Sequence, residues 1–228
     1  MTGTIEVRAA ALREVIMSGD RLVIFLHDNP DPDTIASGWM LARLAEQFGG
    51  KSRIVYGGNL GRAENRTMVR LLRIPLHVLK RTPRRLGSRD RHALVDTRPG
   101  AGNNSFPANR RANIVIDHHP DPARVDADFA DIFDDPGCCT TRVLEYFEAL
   151  GGKMDASLAT AIVYALISET QDLGREATPR DIQAYHRVLP RARLPMLGQI
   201  RHPTRDREYY RTIARAMQAV QVGRNTCV

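Results

Sequence analysis

Apolar positions along the chain switch between two periods. Short β-rich runs alternate with stretches in which apolar residues recur every three to four positions, the pattern of parallel strands joined by crossover helices. RLVIFLH (21–27) reads as a buried strand, and TIASGWMLARLAEQF (34–48) puts Ile35, Trp39, Leu41, Leu44 and Phe48 at helical spacing before Gly49 and Gly50 stop it. SRIVYGG (52–58) predicts a second strand and ENRTMVRLLRI (64–74) a second helix with Met68, Leu71 and Leu72 inward. HALVD (92–96) and ANIVID (112–117) predict two further strands, and DFADIFD (128–134) a short one before helices over TTRVLEYFEALG (140–151) and DASLATAIVYALIS (155–168). An amphipathic helix precedes the first strand, and the basic, turn-rich RTPRRLGSRDR (81–91) reads as an exposed loop. The expected fold class is therefore α/β, a doubly wound, mainly parallel sheet flanked by helices. From about Asp172 the pattern becomes helical and Arg-rich, through ATPRDIQAYHRVL and TRDREYYRTIARAMQAV, and it stops within the alternating run AVQVGRNTCV. The expected organisation is an α/β domain over 1–190, a helical linker over 191–218 and the start of a further domain at 219–228.

Composition narrows the class. With 228 residues, 43% hydrophobic and 26% charged, the chain can bury a substantial core and is neither collagenous nor disordered. Its longest apolar run, 158–167, is about half of the roughly 20 residues that a membrane span needs, so no membrane partner is expected. The first 20 residues lack the unbroken apolar stretch of a secretion signal, which makes a cytoplasmic location the default. Cys138, Cys139 and Cys227 make no disulfide framework or cysteine-based zinc site; the neighbouring pair reads as small buried residues. The formal charge of +7 favours anionic ligands without requiring them, since a basic surface also serves solubility.

Chemistry concentrates after three of the strands. His27-Asp28-Asn29-Pro30-Asp31-Pro32-Asp33, Val95-Asp96-Thr97 and Ile116-Asp117-His118-His119 each follow an apolar run. In an open parallel sheet such segments share one edge, where ligands bind. A lone Asp after a strand is commonly a turn former or a helix cap, and Asp33 before Thr34 fits that role. Three clusters at one topological position are different. Carboxylates packed so densely repel one another, and a pair of divalent cations, for which Asp oxygen and His nitrogen are suitable ligands, relieves the repulsion. The run GAGNNS (100–105) lacks the third glycine and the following helix of a dinucleotide loop. Arg98, Asn103 and Asn104, beside Asp96, are candidate phosphate or sugar contacts, with turn formation as the alternative.

HDNPDPD, VDT and VIDHHP resemble the first three motifs of the DHH phosphoesterases, the signature standing here as Asp117, His118 and His119. GGNLGRAEN (57–65), VDTRPGAGNNS (95–105) and DADFADIFDDPGCCTTRVLEYF (126–147) resemble the nucleotide-processing branch of that family. The resemblance implies a first metal held by His27, Asp31 and Asp96 and a second held by Asp33, Asp96 and His118, with Asp96 bridging. It implies His119 as a donor or acid toward phosphate and Asp117 as the residue orienting the histidine pair. The family's fourth motif places an Asp before Thr. Here Glu169 precedes Thr170, so Glu169 is the expected last ligand and Asp172 the second choice. The implied cofactor is two divalent cations, Mn²⁺ first and Mg²⁺ second. The implied activity is hydrolysis of phosphodiester or phosphomonoester bonds in short oligonucleotides or small nucleotides. The alternatives are a catalytically weak nucleotide-binding module and a pyrophosphatase-like enzyme; homodimerisation stays open.

Overall fold

Six parallel strands form one sheet in the order β3-β2-β1-β4-β5-β6. They are β1 (Arg21–Phe25), β2 (Lys51–Tyr56), β3 (Leu76–Val78), β4 (Asp90–Val95), β5 (Ile114–Asp117) and β6 (Phe129–Ile132). The computed structural model describes residues 4–119, 125–135 and 137–220. Winding runs outward from β1 to β3 and then reverses from β4 to β6, so β1 and β4 lie side by side at the point of reversal. That is where a crevice opens beyond the carboxyl ends of the strands.

The helices are α1 (Ile5–Met17), α2 (Pro32–Gln47), α3 (Ala63–Leu72), α4 (Cys139–Ala149), α5 (Ala156–Glu169), α6 (Pro179–Val188), α7 (Leu194–Arg201) and α8 (Arg207–Gln218). α2 starts where two local signals coincide: Pro32 in its first turn, and Asp31 as a cap accepting the Thr34 amide at 3.1 Å. It packs tightly on the sheet, since a Cβ at Gly38 would lie 2.6 Å from a Leu26 methyl. Alternation along β1 divides the core. Leu22 and Ile24 join the main cluster with the helices, while Phe25 joins Val55, Leu94, Phe106, Ala112 and Val115 on the opposite face. Among the described residues that second cluster is covered by loops, with Leu79, Leu86, Val125 and Ala127 packed against it.

Two elements were not legible in the sequence. β3 has three residues after Pro75, too few to display alternation, and α7 has only eight residues, with Pro195 in its first turn and Gly198 within it. α7 nevertheless buries Leu197 and Ile200, whereas α8 buries none of its residues and exposes Tyr209, Tyr210, Ile213 and Met217. The strand expected at 219–228 lies, from residue 221 on, outside the described residues. Among the described residues no helix is long and apolar enough to cross a membrane.

Asp181 ties α6 to the start of α4. Fully buried, it accepts hydrogen bonds from the Thr141 hydroxyl at 2.6 Å, the Thr178 amide and hydroxyl at 2.8 and 2.7 Å, and the Gly137 amide at 2.9 Å. Burial alone would raise its pKa, but these donors hold it below the ordinary carboxylate value of 3.8. Asp181→Asn places an amide NH₂ among donors and is expected to cost about 3 kcal/mol. Thermal melting at neutral pH checks this, with a drop of roughly 6 to 12 °C expected for a chain of this length. Because the folded pKa is depressed, the carboxylate's contribution is complete above the unfolded value and is lost as pH falls through the lower folded one. The two melting curves should therefore converge in acid.

Candidate metal centre

The carboxyl ends of β1, β4 and β5 deliver all three acid and histidine clusters to one place. After β1 the chain passes His27 and turns at Asn29 with φ of 56° before entering α2. After β4 it turns at Asp96 with φ of 58°, a left-handed conformation that Asp tolerates better than most residues. The turn aims the Asp96 carboxylate between the histidines. His27 Nε2 lies 3.7 Å from Asp96 Oδ2 and 3.5 Å from Asp31 Oδ1. His118 Nε2 lies 3.1 Å from Asp96 Oδ1 and 3.7 Å from Asp33 Oδ2. Two compact triads result, His27-Asp31-Asp96 and Asp96-His118-His119, and Asp96 belongs to both.

The donor set fits divalent cations on one direct observation. Asp96 Oδ1 is buried and has no hydrogen-bond donor, although the residue is only 2% exposed. Burial and repulsion from Asp33 and Asp31 push its carboxyl well above the ordinary value, against the pull of His27 and His119. A carboxylate in that position requires a proton or a cation. His27 is prepared for the cation. Its Nδ1 faces the Asp28 carbonyl at 3.0 Å, which fixes Nδ1 as the protonated nitrogen of the neutral ring and leaves Nε2 toward Asp31 and Asp96. Without an ion, burial opposes protonation of His27, but Asp31 and Asp96 drive its pKa up to about 9.

Asp33 is held from across the fold. Its two carboxylate oxygens accept the Cys139 amide at 2.8 Å and the Thr140 amide at 2.6 Å, so it sits at the N-terminus of α4, where the helix dipole favours an anion. Capping therefore occurs, but on a helix 106 residues away rather than on α2, where Asp31 takes the cap. The cysteine pair is fully buried and supplies backbone here. Glu169, the last residue of α5, is within electrostatic reach of the cluster: burial first, then Asp33 and Asp31, raise its pKa. Asp172 is turned away and forms an ion pair with Arg201 at 2.9 Å. Glu169 thus feels Asp33 and Asp31, while Asp172 is engaged by Arg201.

Asp117 and His119 form a second unit. Asp117 Oδ1 is 2.8 Å from His119 Nδ1, and Asp117 Oδ2 accepts from Arg98 Nε at 2.8 Å. Arg98 also donates to the His119 carbonyl. Burial opposes ionisation of Asp117, but His119 and Arg98 hold its pKa below 3.8. The hydrogen bond to Asp117 in turn raises the His119 pKa, against burial. His119 Nδ1 lies 3.7 Å from Asp96 Oδ1, farther than from Asp117. Its ring is thus committed through Nδ1 to Asp117 and presents Nε2 outward; its side chain is 55% exposed.

The three expected substrate contacts all take part in internal hydrogen bonds. Arg98 is 5% exposed and its guanidinium is engaged by Asp117 and the His119 backbone, so it positions His119. Asn103 accepts the Thr97 hydroxyl at 2.6 Å, and Asn104 donates to Thr97 Oγ1 and the Arg98 carbonyl, each at 2.9 Å. These asparagines fold the 97–106 loop, which an isolated bridge from Asn104 to His27 joins to the first cluster. Sequence reading missed the roles of Thr140 and Asp181, whose partners lie far along the chain, and of Thr97, whose partners Asn103 and Asn104 follow within an irregular loop.

Comparison with known proteins agrees with the motifs. Residues 21–166 match the DHH family, N-terminal domain. An uncharacterized protein of Methanocaldococcus jannaschii is 32% identical over 197 residues, covering 86% of this chain and 40% of that protein. A crystal structure of an exopolyphosphatase-related protein from Bacteroides fragilis superposes with a TM-score of 0.66 at 12% identity, covering 95% of this chain and 66% of that one. A Methanococcus jannaschii protein named after the family II inorganic pyrophosphatases gives 0.51 at 18% identity, with coverages of 86% and 61%. At these identities the structures show a shared α/β fold. The chain spans two fifths of the curated relative's length and about two thirds of the solved structures it matches.

Proposed function

Because the chain belongs to the DHH family, whose members are metal-dependent hydrolases, we propose that it is a two-metal phosphoesterase acting on short oligonucleotides or small nucleotides. The observation that carries this reading is Asp96, a buried carboxylate with a donorless oxygen, which faces His27 and Asp31 on one side and His118 on the other. His27, Asp31 and Asp96 would hold one cation; Asp96, His118, Asp33 and Glu169 would hold the other. Mixed nitrogen and oxygen donors favour Mn²⁺ over Mg²⁺, which prefers an all-oxygen, largely hydrated environment. When bound, such a pair supplies charge to the phosphoryl oxygens and makes water a better nucleophile near neutral pH.

The chain's own residues supply orientation and a proton. His119, its Nδ1 held by Asp117 and its pKa raised, offers Nε2–H to a phosphoryl or leaving oxygen. Arg98 fixes both the carboxylate and the backbone carbonyl of that dyad, so the imidazole cannot swing away. Asp33, anchored on α4, keeps His118 facing Asp96. The basic surface, +7 overall, raises the local concentration of anionic substrate.

Incubating the full chain with Mn²⁺ and a 5′-phosphorylated diribonucleotide, with inorganic pyrophosphate in parallel, tests the substrate class. Release of mononucleotide or phosphate from the dinucleotide, abolished by EDTA, is expected. Faster hydrolysis of pyrophosphate than of any nucleotide would overturn the assignment.

A further inference from the structure

The face of the sheet away from the helices carries an arrangement that the metal centre does not use. Residues of β1 that point to this face are Arg21, Val23 and Phe25, and their partners in register are Lys51, Arg53 and Val55 on β2 and Asp90, His92 and Leu94 on β4. Cations therefore stand side by side: Lys51 is directly across from Arg21, and Arg53 lies one step along. Like charges directly opposite one another destabilise a sheet. Asp90 relieves one of them, pairing with Arg21 at 2.6 Å. Arg53 and Arg85 form no ion pair among the described residues.

Between these strands and the 79–89 loop lies a cleft of about 200 Å³. Its floor is apolar, built from Val23, Phe25 and Val55, and Leu79 and Leu86 form a wall. His92 adds a ring whose centroid is 6.3 Å from that of Phe25, and burial keeps it toward the neutral form. Arg21, Arg53 and Arg85 surround this floor. Arg21 Nε is buried and lacks an acceptor. An N–H without a partner is costly, and because the Arg21 side chain is 42% exposed a small shift would bring it to a ligand oxygen. The cleft is lined by the first residues of β1 and β4, Arg21 and Asp90, which stand at the opposite end of the strands from Asp96 and the histidines.

We infer that this cleft is a second ligand site, one that takes a compact phosphate-bearing molecule with a flat ring, of the nucleoside monophosphate class. The ring lies on the apolar floor and the phosphate meets Arg53 and Arg85, while Arg21 is held by Asp90, which also lines the cleft. The volume, below the range of drug-sized pockets, takes the base, and the ribose and phosphate lie at the open, arginine-lined rim. The site is independent of metal.

Calorimetric titration of AMP into the full chain in Mn²⁺ tests the inference, together with inorganic phosphate and adenosine as partial ligands. AMP is expected to bind at least about tenfold more tightly than phosphate because only AMP buries a ring. Adenosine, lacking the charge, should give no detectable heat. The double variant R53E/R85E, altered at the rim, should weaken AMP at least about tenfold while leaving hydrolysis of bis(p-nitrophenyl) phosphate unchanged. Asp96→Asn, in contrast, should retain this binding. Absence of AMP binding, equal affinity for phosphate and AMP, or binding that survives R53E/R85E but disappears in Asp96→Asn would each overturn the inference. The last result would assign the nucleotide to the metal centre and leave the catalytic reading intact. An inert chain that still bound AMP through Arg53 and Arg85 would sink the catalytic reading alone.

Discussion

Asp96→Asn is expected to empty both cation positions and to lower turnover of an activated diester by about a thousandfold or more, the equivalent of roughly 4 kcal/mol of transition-state stabilisation. The residue faces His27 through Oδ2 and His118 through Oδ1, so the loss cannot be confined to one ion. Asp31→Asn, by comparison, should disturb mainly the ion near His27, and Asp33→Asn the ion near His118. The same Asp96 variant should melt at a higher temperature than the native chain when both are stripped of metal. In the metal-free protein the Asp96 carboxyl is held well above its ordinary pKa, so at neutral pH its ionised form opposes folding. Asparagine removes that charge and also accepts the left-handed backbone at φ of 58°. Higher stability coupled to lost function identifies a residue retained for a ligand. Metal analysis, steady-state rates and melting curves on the two proteins check the three parts; a variant that kept two ions would remove Asp96 from its bridging role.

The histidine pair should divide. His119→Ala is expected to keep both ions and to lose turnover by about 100-fold or more, since its ring is committed through Nδ1 to Asp117 and contributes a donor at Nε2. His118→Ala should lose the second ion first, because its Nε2 stands 3.1 Å from Asp96 Oδ1 with no competing partner at comparable distance. Arg98→Lys should follow His119→Ala in kind but less in degree, keeping charge beside Asp117 while losing the fork that also holds the His119 carbonyl. Equal metal loss in the His118 and His119 variants would defeat the division.

What the sequence disclosed follows from the range of the interactions involved. The strands and α2 were legible because alternation, helical spacing and the Asp31-Pro32 start are local signals, and convergence of the three clusters followed from parallel topology alone. β3 was missed because three residues carry no period. The internal partners of Arg98, Asn103 and Asn104 were hidden for a different reason. Polar residues beside a metal motif look like substrate contacts, and only the fold reveals that Asp117, Thr97 and backbone carbonyls already engage them. Asp33 shows the same limit: its two amide donors lie more than 100 residues further along the chain, at the start of α4. Glu169, standing where the family's pattern has Asp, is placed beside the cluster by the end of α5, a boundary that Thr170 marks as the helix cap.

Counting ions directly tests the central claim, that His27, Asp31, Asp33, Asp96, His118 and Glu169 form one two-cation centre. Crystals of the full chain grown with Mn²⁺ should show two anomalous difference peaks at comparable height, separated by roughly 3.5 to 4 Å as two-metal phosphoesterases require, with Asp96 touching both. A single peak, or two peaks that leave Asp96 uncoordinated, would contradict it.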